Sequence, residues 1–173
     1  MNTNALLPYL QVAWRTEKAR VDSLKEAFET ATDDTLRTLL IDYRDDTLRQ
    51  VETLEDLIYA RGGGVSTVRV FVHQLLGKIG ETVSAPLAGI DPNLLTAVRV
   101  CGDAQYEVAL YDAIASVAAA DGESDVEKAA RQLREQETMA LESLTPFLTI
   151  PAEEEQPDAA RSFGFTEATA LFA

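Results

Sequence analysis

The chain is short of the residues that usually carry chemistry: one cysteine, one histidine, one tryptophan and two methionines in 173 residues. A lone Cys101 cannot form an intrachain disulfide, and its place in an apolar stripe predicts a buried structural thiol rather than a nucleophile. Aromatic residues make up only 7% of the chain, whereas 46% is apolar and dominated by Ala and Leu. That balance favours helices packed on helices over a sheet. Positive charge is scarce as well: 15 Lys and Arg face 29 Asp and Glu, for a net charge of -14. With no basic stripe, nucleic acid and anionic membrane surfaces are excluded as partners, and the acidity reads as solubility. No segment approaches the roughly 20 consecutive apolar residues of a membrane span. The N-terminal MNTNALLPYL lacks the basic start and apolar run of a secretory signal, so a cytoplasmic location is expected.

What is present is helical periodicity. Leu10, Trp14, Val21, Leu24 and Phe28 recur at three-and-four spacing over residues 4–31. Thr32-Asp33-Asp34 supplies a cap for a second helix running to about Arg61, with Leu36, Leu39, Leu40, Tyr43, Leu54, Leu57 and Ile58 on one face and Gly62-Gly63-Gly64 ending it. Asp91-Pro92 opens a third helix, whose stripe is Ala97, Val100, Ala104, Glu107, Tyr111, Ile114 and Ala118, and Gly122 stops it. Ser124 and Glu127 have the spacing of a capping box at the start of a fourth helix bearing Val126, Ala130, Leu133, Ala140 and Leu144. Between the second and third helices, residues 65–89 predict a short amphipathic crossover helix around Phe71, Leu75 and Ile79, although VRVFV would also suit a strand. His73 lies in this crossover and reads as a surface or core group rather than a ligand. The expected architecture is an all-α four-helix bundle over residues 1–150 with an extra crossover helix. An acidic linker and an apolar tail follow over 151–173.

Each long helix interrupts its apolar seam with an acid: Glu17, Asp46, Glu107 and Glu137. A carboxylate on a buried seam is costly unless it is paired, hydrogen-bonded or bound to a cation. Four such groups converging at one depth would repel unless protons or cations neutralised them, and hard or borderline ions such as iron or manganese suit oxygen donors. Gln50 marks a second polar interruption on the second helix. Counting along that helix leaves Thr47 as an alternative to Asp46, and on the fourth helix Gln136 as an alternative to Glu137. A full di-iron set would add a histidine one turn from a carboxylate on two helices. Those positions instead hold Gln50 and Leu141, with Ala104 and Gln105 in the turn before Glu107.

The segments TEKARVDSLKEAFETATDDTLRTLLIDYRDDTLRQVETLEDL (residues 16–57), QYEVALYDAI (105–114) and ETMALESL resemble the YciE/YciF-type ferritin-like stress proteins. The resemblance implies a ferritin-like bundle, commonly a homodimer, with a dinuclear metal site held by acids at Glu17, Asp46, Glu107 and Glu137. It also implies histidine at the positions of Gln50 and Gln105 and an acid at those of Ala104 and Leu141, so ferroxidase activity is not carried over. Two readings follow. In one, the four acids hold iron or manganese. In the other no metal is bound, and Arg20, Arg49 or Arg134, or the hydroxyls of Tyr43, Tyr106 and Tyr111, tie up the acids. The protein then acts as a structural or partner-binding bundle that docks through its C-terminal tail or the 65–89 crossover.

Overall fold

A computed structural model of the chain describes residues 5–65 and 90–149. The expected crossover helix, His73 and the 151–173 tail lie outside them. Four long helices account for nearly all of the described chain: α1 (Leu7–Thr30), α2 (Asp34–Ala60), α3 (Pro92–Asp121) and α4 (Ser124–Leu144), followed by a 3-10 turn, Thr145–Leu148. No strand occurs among the described residues.

Local chemistry sets the ends. The Asp33 carboxylate accepts the Leu36 N–H at 2.8 Å and starts α2, and Asp91 accepts the Asn93 N–H at 2.8 Å to start α3. Gly62 and Gly122 sit at φ of 71° and 74°, the left-handed geometry that lets the chain fold back on the last carbonyls of α2 and α3. At the start of α4 the expected capping box is not formed. Glu123 rather than Ser124 is the N-cap, with no side-chain cap bond. The Arg61 guanidinium instead binds both Glu123 (2.9 Å) and Asp125 (2.8 Å), which draws this corner toward the end of α2.

Two such corners fix the topology. Arg61 ties the C-terminal end of α2 to the α3–α4 turn. At the opposite end, the Asn93 side-chain oxygen accepts the Thr32 and Asp33 N–H groups at 2.9 and 3.2 Å, tying the start of α3 to the α1–α2 turn. Hence α2 and α3 run parallel, and the chain between them joins opposite ends of the bundle. The hairpins α1–α2 and α3–α4 pack with α1 on α3 and α2 on α4.

The core is divided in two. One apolar cluster gathers Leu10, Trp14, Leu54, Ile58, Ile114 and Leu133. The other gathers Leu24, Leu36, Leu40, Val100, Cys101 and Leu144. Burying each such side chain contributes about 1.5–3 kcal/mol. Cys101 is a buried free thiol, and burial raises its pKa. The Trp14 indole N–H keeps a partner by donating to Glu55 at 2.9 Å. Between the two clusters lies a layer of polar side chains.

A buried carboxylate layer

Glu17, Glu107 and Glu137 are each 0% exposed, in the middle of α1, α3 and α4. The seam spacing places them there: Glu17 falls between Trp14 and Val21, Glu107 between Ala104 and Tyr111, and Glu137 one turn beyond Leu133, all of them buried. One oxygen from each of the three carboxylates lies within 4.8 Å of the others.

Asp46 does not join them. It is exposed on the outer face of α2 and pairs with Arg49. The seam of α2 continues from Tyr43 by four residues rather than three, through Thr47, Gln50, Leu54 and Ile58. The Thr47 hydroxyl turns back onto the Tyr43 carbonyl at 2.9 Å, so it offers nothing to the carboxylates. The contribution of α2 to the layer is therefore neutral: the Tyr43 hydroxyl and the Gln50 amide.

Each acid has a protein partner. Arg20, one turn beyond Glu17 on α1 and 4% exposed, donates from Nη2 to Glu107 Oε2 at 2.6 Å and from Nη1 to the Val100 carbonyl at 3.3 Å. Its guanidinium also stands 5.8 Å from the centre of the Tyr43 ring. The Tyr111 hydroxyl donates to Glu17 Oε1, and the Tyr43 hydroxyl to Glu137 Oε2. Gln50 Nε2 donates to Glu137 Oε1 at 2.9 Å and to Gln136 Oε1 at 3.1 Å. Of the partners suggested by sequence, Arg20, Tyr43 and Tyr111 take this role. Arg49 and Arg134 pair with Asp46 and Asp112 at the surface, and Tyr106 is exposed.

Among the described residues, three buried side-chain oxygens are without a partner: Glu17 Oε2, Glu107 Oε1 and Gln50 Oε1. Three carboxylates against one guanidinium leave an excess of two negative charges if all are ionised. The strain shows in their proton affinities. Burial, aided by the Glu137 carboxylate, pushes Glu17 up to about 8 against the opposing pull of Tyr111 and Arg20. Burial and then the Glu17 charge hold Glu107 well above the carboxylate range. Burial works against the charge of Arg20, but Glu107, Tyr43, Asp103 and Glu137 together outweigh it and raise its pKa. Burial also raises both tyrosines, which stay protonated donors.

The role of Gln50 was only half visible in sequence. Its place on the polar interruption of α2 signalled burial, but nothing in the spacing told which acid it would bond. Arg20 carried a clearer signal, a long cation three residues past a seam acid.

A family model described as DUF892, a domain of unknown function, matches residues 3–156. Among solved structures, YcfI from Rhodopseudomonas palustris superposes with a TM-score of 0.70 at 20% identity, covering 87% of this chain and 95% of that one. A protein from Xanthomonas campestris pv. campestris superposes with a TM-score of 0.69 at 16% identity, over 86% and 91% of the two chains. At these identities the likeness shows the fold alone. No curated protein matches the chain.

Proposed function

Since the chain belongs to the DUF892 family, the YciF-type ferritin-like proteins, we propose that its core layer holds a single divalent cation, with iron or manganese as the ions of suitable hardness. The observation that carries this reading is the pair of orphaned carboxylate oxygens, Glu17 Oε2 and Glu107 Oε1, buried in a layer with two more potential negative charges than positive ones. One divalent ion balances that excess. The orphaned Gln50 Oε1 adds a neutral hard donor from α2, so that every helix offers an oxygen.

The dinuclear group that the family resemblance implies does not fit these residues. A second divalent ion would leave the layer with excess positive charge, and the Arg20 guanidinium already sits on Glu107. Among the described residues no histidine is present to supply nitrogen. The reading is thus an ion-holding bundle, with the stress-linked role and homodimeric assembly of the YciE/YciF type expected on the resemblance and no oxidase activity.

A second reading has its own support. Each carboxylate already accepts one bond from Arg20, Tyr43 or Tyr111, which two protons could complete without metal. The bundle would then be structural. Metal analysis of protein purified without chelator, followed by manganese titration after chelator treatment, separates the two. The ion reading expects one ion per chain in the native protein and a raised melting temperature on titration, both lost in Glu17→Gln. No retained ion and no thermal shift would leave the structural reading standing.

A further inference from the structure

The carboxylates are sealed from water, so an ion can reach them only where the wall of the bundle yields. A cleft of about 220 Å³, large enough for water, opens between α2 and α4. Its lining combines the amides of Gln50, Gln132 and Gln136 and the Thr53 hydroxyl with the apolar Ala129 and Leu133 and with Arg49, whose charge Asp46 offsets. Gln50 belongs to both places. It is 1% exposed and lines the cleft, and its Nε2 lies 2.9 Å from Glu137 Oε1. Its second bond, to Gln136 at 3.1 Å, closes the floor of the cleft by joining α2 to α4.

We propose that this cleft is the port through which a hydrated divalent ion reaches the carboxylates, with the Gln50–Gln136 pair as its latch. The inference rests on the ion-holding reading above. The three amides and the hydroxyl, with no carboxylate among the lining residues, suit the passage because they can replace water around an ion without trapping it, which a ring of carboxylates would do. Swinging the Gln50 amide breaks two hydrogen bonds and bares Glu137 Oε1 to the cleft. The unpartnered Gln50 Oε1 then provides an oxygen that can meet the ion on the way in.

The test compares loading rate with equilibrium uptake, using manganese added to chelator-treated full-length protein. Ala129→Trp should fill the cleft and slow uptake at least tenfold, while leaving ions per chain and final affinity as in the native protein. Gln136→Ala removes half of the latch from a partly exposed position and should speed uptake severalfold. This second variant guards against misfolding of the first. Native rates in both variants, with normal final uptake, would overturn the port and leave the ion site intact. No uptake by any of the three proteins would overturn the ion site, and the port with it.

Discussion

Arg20 and Glu107 meet at 2.6 Å across the α1–α3 contact, with side chains only 3% and 1% exposed. Arg20 also donates to the Val100 carbonyl and lies 3.8 Å from Asp103, a third of whose side chain is in water. Taking one member away strands the other in the core. Arg20→Met should therefore lower the unfolding free energy by about 3–5 kcal/mol, and adding Glu107→Gln should restore much of that loss. Urea unfolding of both single variants and the double variant measures the coupling. Additive losses would mean that the two charges do not depend on each other.

The raised pKa of Glu17 sets a pH dependence. Its folded-state value of about 8 exceeds the ordinary carboxyl value of 4.5, so the folded protein binds this proton more tightly than the unfolded chain. The resulting stabilisation is complete below pH 4.5 and is lost as pH rises through about 8. In chelator, the melting temperature should fall between pH 5 and pH 8 and then level, and Glu17→Gln should flatten that segment. Manganese should lift the native protein most at the alkaline end, where the carboxylates are ionised.

Tyr111→Phe removes the donor on Glu17 Oε1. It should cost about 1–3 kcal/mol. Because that bond lowers the Glu17 pKa, its loss should also shift the midpoint of the pH curve upward. Thermal melts in chelator across pH 5–10 read both effects.

Asp46→Ala should do almost nothing. Its carboxylate lies on the surface beside Arg49, where such pairs contribute about 0–1 kcal/mol. Ion uptake should match that of the native protein, whereas Glu137→Gln should abolish or severely weaken it. Equal losses in the two variants would return Asp46 to the site.

Gly122→Ala places a Cβ at φ 74°. It should destabilise the protein by about 1 kcal/mol or more without touching ion binding, measurable by urea unfolding.

The four helices could be read from spacing, and the starts of α2 and α3 and the ends marked by Gly62 and Gly122 from local chemistry, whereas the capping box expected at Ser124 and Glu127 does not form. The third helix was the clearest case: all seven stripe positions from Ala97 to Ala118 are buried. The second was harder. Asp46 and Thr47 are both polar and adjacent, and a helix of 3.6 residues per turn alternates steps of three and four without announcing which comes next. Only packing against α1 and α4 decides that Thr47 turns inward. Glu17, Glu107 and Glu137 were legible because apolar neighbours bracket each one. Their partners were less so, since Arg20, Gln50 and the two tyrosines act across helices, at distances in sequence of 87 to 94 residues for their bonds to the three acids.

The division of the core by a hydrogen-bonded polar stratum also constrains how the bundle can be misassembled. Apolar faces made of Leu and Ala tolerate sliding by a turn, because one greasy contact resembles the next. Shifting α1 by a turn of about 5.4 Å would pull the Arg20 guanidinium off Glu107 and leave both charges facing hydrocarbon. The same slip of α4 would part Glu137 from Tyr43 and Gln50. Directional contacts at mid-height thus act as a set of dowels, fixing the vertical alignment that the oily halves above and below leave free.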